Sequence, residues 1–143
     1  MAEIVSEEKK AAIKKRFLKS PFFRLLQLEI KELEKGRAVL AVKPREDLRQ
    51  SVGLLHGGVI AALCDVSVAA ALFTLLPDNQ DVVTVEIKVN YLKAVNDEEI
   101  FACAEIIRQG KSIAVGDVAV IDKNGEHYAA ALSTYAILPI KTD

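Results

Sequence analysis

The chain has 143 residues, of which 51% are hydrophobic and 27% charged, a balance typical of a folded globular protein. At this length we expect a single domain spanning residues 1–143. The formal net charge of −1 argues against a nucleic-acid-binding protein, which normally carries a strongly basic face.

The first predicted helix covers residues 6–19. Ser6 suits the N-cap position, and Glu7 and Glu8 place negative charge where the helix dipole is positive. Pro21 follows as a stop signal, and we expect extended chain after it.

Two strand-like runs come next, LQLEIKELEKG and RAVLAVKP, with a turn at Gly36 between them. Leucine, glutamate and lysine favour helix, so a helix is an alternative for residues 25–35. The polar segment 45–53 is predicted to be a loop.

The most unusual segment is LLHGGVIAALCDVSVAAALFTLL, residues 54–76. Residues 59–76 contain only three clearly polar side chains, those of Asp65, Ser67 and Thr74. The length of this segment is at the lower limit for crossing a bilayer. Asp65 would then lie in hydrocarbon at a cost of about 2.5–3.5 kcal/mol, and neither flank carries a basic or aromatic anchor. We therefore predict a helix buried at the centre of the fold, and no membrane partner.

Four further strands are predicted after residue 81, and they cover residues 82–92, 99–108, 112–122 and 127–138. In the first of them two sets of side chains alternate, predicting two opposite faces. One set is Val85, Ile87, Val89 and Tyr91, and the other is Thr84, Glu86, Lys88 and Asn90.

The later strands are separated by the short segments QGK and KNGE, which suit hairpin turns because glycine adopts positive φ. Consecutive strands with short connections indicate an antiparallel sheet with the helices on one side, an α+β domain. Frequent alanine along these strands would let a helix pack closely on the sheet.

Asp65 is the most informative residue, because a carboxylate on a buried helix needs a partner or a function. It is either a structural carboxylate bonded to backbone amides or hydroxyls, or a catalytic base or nucleophile. Gly57 and Gly58 begin the helix, where free N–H groups could stabilise an oxyanion.

Gly57 and Asp65 are eight residues apart in the sequence. On one helix this separation is about 12 Å, too far for both to touch one carbonyl group. If the two groups cooperate, they come from two copies of the helix, so the sequence predicts a symmetric homodimer with two equivalent interfacial sites.

Three stretches of the chain resemble the hotdog-fold thioesterases, specifically the PaaI-type acyl-CoA thioesterases: QSVGLLHGGVIAALCD (50–65), VVTVEIKVNYLKAV (82–95) and RQGKSIAVGDVAVIDKNGEHYAAA (108–131). The resemblance implies a hotdog fold, in which an antiparallel sheet wraps around a long central helix. It implies dimers that commonly pair into tetramers, with the active site at the subunit interface. It also implies hydrolysis of an acyl-CoA whose acyl group is aryl, phenylacetyl or fatty, with no cofactor besides the coenzyme A of the substrate.

The resemblance also assigns roles to individual residues. Asp65 matches the catalytic carboxylate, acting as general base on water or as nucleophile. The backbone N–H of Gly57 would polarise the thioester carbonyl, and His56 would shape and polarise that end of the site. Gln50 would help hold the water or the thioester, and Thr84 would hydrogen-bond near the carboxylate.

The phosphates of coenzyme A call for basic side chains or free amides, and the turn RQGKS offers both. Solvated surface charges are the alternative interpretation of each candidate taken singly. The candidate coenzyme A contacts are Asn90, Tyr91, Lys93, Arg108, Gly110, Lys111 and Ser112.

Two other functions fit the same pattern: a module that binds acyl-CoA without hydrolysing it, and a hydratase or dehydratase, which would pair a histidine with a carboxylate. His127 is predicted to be an edge or surface residue. Cys64 projects about 100° away from Asp65 on the helix and is interpreted as a packing residue. The two histidines and two cysteines show no ligand-like spacing, so no metal site is predicted.

Cys64 and Cys103 both lie in apolar surroundings, which indicates reduced thiols. The N-terminal segment mixes Glu with Lys and lacks the apolar core of a signal peptide. We therefore expect a cytoplasmic protein.

Overall fold

Three α-helices and six β-strands make up residues 4–140, the part of the chain that the computed structural model describes. In chain order they are α1 (Glu7–Leu18), α2 (Pro21–Leu26), β1 (Glu29–Glu34), β2 (Arg37–Val42), α3 (Gly57–Phe73), β3 (Gln80–Tyr91), β4 (Ile100–Gln109), β5 (Ile113–Ile121) and β6 (His127–Pro139). A short 3-10 helix, Glu46–Leu48, precedes α3.

The six strands form one antiparallel sheet in the order β1-β2-β4-β5-β6-β3, and α3 contacts every one of them. Leu63 and Leu72 on α3 are fully buried against sheet residues such as Leu40, Ile100 and Val120. The core therefore lies between the curved sheet and the helix. This confirms the predicted α+β fold, an antiparallel sheet around a long central helix.

The long apolar helix is α3, which has 17 residues. It ends at Phe73, so residues 74–76 lie beyond it. Within residues 4–140, no helix is long and apolar enough to cross a membrane.

α2 corrects the prediction of extended chain after Pro21, and the helix considered for residues 25–35 is also wrong because β1 lies there. Ser20 caps α2 by accepting a hydrogen bond from the Phe23 N–H at 3.3 Å, and Pro21 occupies the first turn. A proline at that position starts a helix as readily as it stops one, because its missing N–H would be unpaired there anyway. Gln27 then ends the helix in a left-handed conformation, with φ 53°.

β3 does not alternate strictly as predicted, because its pairing with β6 is irregular between Thr84 and Glu86. The side chain of Thr84 faces α3 together with that of Ile87, whereas Val85 is 60% exposed. A β-bulge inserts one extra residue and so reverses the phase of alternation. The bulge places Thr84 on the helix side, opposite to the face that simple alternation assigns to it.

Positive φ is predicted for the glycines of the segments QGK and KNGE, and the structure shows it for one of the two. Gly36 and Gly125 have positive φ, 74° and 81°, in the β1–β2 and β5–β6 hairpins. Gly110, in the β4–β5 turn, does not have positive φ, so that part of the turn prediction is wrong. Its N–H donates instead to the Ile113 carbonyl at 2.8 Å.

Small residues on the inner face of the sheet bring α3 close to it, as the alanine content predicts. Ala102, Ala114 and Ala129 are almost fully buried under the helix. At Gly116 on β5 a Cβ atom would lie 2.7 Å from Cγ1 of Val68, inside any normal contact distance. Gly116 is therefore needed for the close approach of helix and strand.

We expect Gly116→Ala to destabilise the protein by about 1–3 kcal/mol, the usual cost of overpacking a core. The measurement is the free energy of unfolding in urea. Val68→Ala removes the clashing methyl groups, so the double variant should lose less stability than the sum of the two single variants. Additive losses would show that the contact with Val68 is not the constraint.

Candidate active site

His56 caps the N-terminus of α3. Its Nδ1 accepts a hydrogen bond from the Gly58 N–H at 2.8 Å, and its carbonyl accepts from the Val59 N–H at 3.0 Å. The Gly58 N–H is therefore occupied, which corrects the expectation that both glycines offer free N–H groups. The Gly57 N–H has no acceptor in residues 4–140 and is the donor left at this helix end.

Tyr91 packs directly over this helix end. Its hydroxyl donates to the Gly57 carbonyl at 2.8 Å, and a Cβ atom at Gly57 would lie 3.2 Å from its ring. Burial raises the pKa of the Tyr91 hydroxyl, so it stays a hydrogen-bond donor. Tyr91 was predicted as a coenzyme A contact, and the structure joins it to the first turn of α3.

Asp65 lies two turns further along α3 and is partly buried. Full burial would be expected on a helix that is apolar on all sides. Its Oδ1 accepts hydrogen bonds from the Thr84 hydroxyl at 2.9 Å and from the Tyr135 hydroxyl at 2.6 Å. Thr84 is therefore in the predicted contact with the carboxylate. The Oδ2 atom has no hydrogen-bond partner among the residues that the structure describes.

Tyr135 is the site residue that sequence reasoning missed. It lies on β6 opposite Thr84 on β3, is 3% exposed, and its hydroxyl is also 2.6 Å from the Asp65 carbonyl oxygen. Burial, followed by the negative charge of Asp65, raises the pKa of the Tyr135 hydroxyl, which therefore stays protonated. Nothing in the local sequence distinguishes it from a core tyrosine, since only the β3–β6 register brings it to Asp65.

A cavity of about 290 Å³ opens beside Asp65 and runs beneath α1 and α2. Its wall includes five of the chain's eight aromatic residues. These are Phe17, Phe22, Phe23, Phe73 and Tyr135. The guanidinium of Arg16 lies 4.1 Å from the centre of the Phe73 ring, and is paired with Asp81 at 2.6 Å. The cavity is thus apolar along its wall and charged at one end.

Gln50 stands in the loop before α3 and braces that loop. Its Oε1 accepts from the N–H groups of Val52 and Leu54 at 2.6 and 3.3 Å. The side-chain amide N–H groups have no acceptor within residues 4–140 and are the part of Gln50 available to a ligand.

The predicted coenzyme A contacts form two clusters at opposite ends of β6. The cluster of Asn90, Tyr91 and Lys93 lies near Tyr128, whose carbonyl accepts from the Lys93 N–H, and Lys93 pairs with Glu126 at 3.3 Å. The cluster of Arg108, Gly110, Lys111 and Ser112 lies beside Ile137, whose N–H donates to the Ser112 carbonyl. Tyr128 and Ile137 are nine positions apart on the strand, a distance of roughly 30 Å. One subunit does not bring the two clusters together.

The remaining candidates of the sequence analysis lie away from this chemistry or inside the core. Burial, followed by the charge of Asp65, raises the pKa of the Cys64 thiol to about 12, which agrees with a packing role. Cys103 is partly buried on β4, and burial raises the pKa of its thiol also. His127 is exposed at the start of β6. Across the described range, 4–140, no three metal-binding side chains come together.

An antiparallel sheet around a central helix, with a carboxylate on that helix, defines a class of hotdog-fold proteins, and comparison with known proteins agrees. Residues 52–129, more than half of the chain, match the family described as the thioesterase superfamily. A protein of Saccharolobus solfataricus, provisionally named an esterase, is 31% identical over 91% of this chain and 93% of its own length. The medium/long-chain acyl-CoA thioesterase YigI of Escherichia coli K12 is 29% identical over 82% of this chain and 85% of its own.

Among solved structures, a thioesterase family protein from Silicibacter pomeroyi has a TM-score of 0.86 and 27% identity, covering 92% of this chain and 99% of that chain. The chain belongs to the thioesterase superfamily. The predicted enzyme class, a thioester hydrolase, is confirmed at that level, whereas the finer assignment to the PaaI type stays a prediction.

We expect Cys64 to resist alkylation in the folded protein. With its pKa near 12, about one thiol in 10⁴ is ionised at pH 8, and the side chain is fully buried. In a Cys103→Ser background, intact-mass analysis after iodoacetamide treatment should show an unlabelled native protein and full labelling in urea. Labelling of the native protein at the rate seen in urea would contradict this assignment.

Proposed function

We propose that the protein hydrolyses acyl-CoA thioesters to a free acid and coenzyme A. The observation that carries the proposal is the Asp65 carboxylate, held on one oxygen by Thr84 and Tyr135 and open on the other, beside a cavity with five aromatic side chains in its wall. A relative named as an acyl-CoA thioesterase supports the same substrate class. The proposed acyl group is aryl, phenylacetyl or fatty, since an apolar cavity next to the carboxylate can hold any of these.

The proposed chemistry uses the two groups on α3 that have no partner within residues 4–140, the Gly57 N–H and Oδ2 of Asp65. The Gly57 N–H would donate to the thioester oxygen as negative charge develops there. Asp65 would take a proton from water as the water oxygen adds to the carbonyl carbon, or would itself add to that carbon. The carbon–sulfur bond then breaks and the sulfur leaves as a thiolate, which needs little help from a general acid.

We infer that two subunits complete each site, because Gly57 and Asp65 are eight residues apart on one helix. β3 is an edge strand of 12 residues whose partner within the sheet is β6. Its side chains Val83 and Val85 are 53% and 60% exposed. A long apolar edge readily accepts another strand, so we propose that β3 pairs with β3 of a second copy.

Antiparallel pairing of two β3 strands about a two-fold axis would set the Tyr91 end of one subunit beside the Thr84 region of its partner. The Gly57 N–H of one copy would then approach Asp65 of the other. The cluster that contains Tyr91 and Lys93 in one subunit would likewise lie beside the cluster that contains Arg108 and Lys111 in its partner. Arg108 and Lys111 have no carboxylate partner within residues 4–140, so both are available to phosphates. The pairing of such dimers into tetramers stays a prediction.

The first test is thioester hydrolysis across aryl-, arylacetyl- and fatty-acyl-CoAs, comparing the wild type with Asp65→Asn. We expect the variant to lose about 10²–10⁴-fold in kcat, because the carboxylate moves a proton or attacks in the rate-limiting chemistry. Calorimetric binding of the same acyl-CoA should persist in the variant.

Asp117→Asn, an exposed carboxylate on β5, is the matched control and should leave turnover within about twofold of the wild type. Tight acyl-CoA binding without turnover in the wild type would identify a binding module. Hydration of an enoyl-CoA in place of hydrolysis would identify a hydratase.

The second test asks whether the two groups come from different subunits. Gly57→Pro removes the N–H at a helix position that tolerates proline, whereas Gly57→Ala adds the same Cβ but keeps the N–H. Gly57→Pro and Asp65→Asn should each be inactive alone. In a random 1:1 mixture half of the dimers are mixed and each has one intact site, so about a quarter of the wild-type activity should return.

The Gly57→Ala variant alone controls for crowding of the added Cβ against Tyr91, and it should keep most of the wild-type activity. Mixed dimers isolated through two different tags and found inactive would show that one chain supplies both groups.

A further inference from the structure

We propose that Tyr135 is a positioning residue of the proposed thioesterase site: with Thr84 it fixes the Asp65 carboxylate through Oδ1 and thereby leaves Oδ2 as the reacting oxygen. The inference rests on the proposed function and adds to it the atom that reacts and the residue that selects this atom. Tyr135 itself touches neither the substrate carbonyl nor the water in this assignment.

The two hydrogen bonds to the Asp65 side chain both end on the same oxygen, Oδ1. The Thr84 hydroxyl is 2.9 Å and the Tyr135 hydroxyl 2.6 Å from Oδ1. A carboxylate with one donor can rotate and exchange its oxygens, but donors on two different strands hold one oxygen in a single place. Because Oδ2 has no partner within residues 4–140, it is the oxygen free to take a proton or to attack.

The position of Tyr135 is rigid, which is what a positioning group requires. Its ring is 3% exposed in the core under α3, and β6 pairs with both β5 and β3 at this residue. The hydroxyl is also 2.6 Å from the Asp65 carbonyl oxygen, so it lies against the backbone and the side chain of the same residue. Burial keeps the phenol protonated and therefore a donor.

Other charged groups line the same cavity as Asp65. α1 contributes Arg16 and β3 contributes Asp81, and these two are paired with each other at 2.6 Å. Cys64 is adjacent on α3, and its thiol stays neutral because its pKa is about 12. Within the described residues, α2 lines this cavity with no titratable side chain. Tyr135 and Thr84 are thus the direct partners of the carboxylate.

In the hydrolytic step Oδ2 receives the proton of the attacking water while the water oxygen bonds to the thioester carbon. The carbon–sulfur bond then breaks, its electron pair leaves with sulfur, and the thiolate of coenzyme A takes up a proton. If Oδ2 attacks directly, the same bond breaks and water later hydrolyses the acyl–carboxylate anhydride. In both cases the other oxygen keeps its two hydrogen bonds throughout.

The test compares Tyr135→Phe and Thr84→Val with a matched control, Tyr128→Phe. Tyr128 is also a buried tyrosine of β6 whose hydroxyl donates to an aspartate, Asp122, at 3.2 Å, but it lies far from Asp65. All three substitutions keep the size of the side chain and remove a hydroxyl. The measurements are kcat and KM.

Tyr135→Phe should lower kcat about tenfold with KM within about twofold, because a loosened carboxylate misplaces the reacting oxygen. Thr84→Val should act in the same direction, and the two effects on kcat should be non-additive. Tyr128→Phe should leave both kcat and KM within about twofold of the wild type.

A second readout does not depend on turnover. In protein carrying ¹³C-labelled aspartate carboxyls, the Asp65 signal is identified by its loss in Asp65→Asn. Its chemical shift at one fixed pH should change in Tyr135→Phe, because a hydrogen bond to Oδ1 is removed, and should not change in Tyr128→Phe. If no thioester is hydrolysed but this chemical shift changes, the proposed function fails while the assignment of Tyr135 to Oδ1 stands. An unchanged chemical shift, or an unchanged kcat in an active enzyme, would overturn the inference and make Tyr135 a packing residue.

Discussion

A carboxylate halfway along an apolar helix is the constraint on which the site depends. Carrying Asp65 into the centre of the fold requires hydroxyl donors to meet it, and β3 and β6 supply one each at the same register position. These donors lie on strands that also form the wall of the core. The fold and the site are therefore stabilised by the same pairing, and a slip of β3 against β6 by one residue would turn the Thr84 hydroxyl away from Asp65.

The bulge in β3 connects this requirement to the rest of the sheet. Before the bulge, Val82 and Thr84 face the helix, and after it Ile87 and Val89 do. Without the extra residue, either the core contacts at one end of the strand or the hydroxyl contact at the other would be lost. The irregularity is thus the local solution to two demands on one strand: apolar burial near α3, and a polar contact with Asp65.

Much of this could be read from the sequence because the signals were local. The N-cap at Ser6 and the apolar run from residue 59 each depend on neighbours a few positions away. α2 was not predicted, because a proline such as Pro21 can either end one helix or start the next. The Ser20 cap decides for a new helix here. The role of Tyr135 and the bulge were not predicted for another reason. Both depend on which residues of β3 and β6 pair with each other, and Thr84 and Tyr135 are 51 positions apart in the sequence. No local pattern contains that pairing.

The cavity beside Asp65 is built from two parts of the chain with different relationships to the family. Asp65 on α3 and Thr84 on β3 lie within residues 52–129, the segment that matches the superfamily, whereas Tyr135 on β6 lies just after it. Three of the aromatic residues that close the cavity, Phe17, Phe22 and Phe23, lie on α1 and α2, before that segment. Most of the aromatic wall of the cavity thus lies outside the matched segment. If the proposed site is correct, substitutions on α1 and α2 could reshape the space for the acyl group without altering the hydrogen bonds on Asp65.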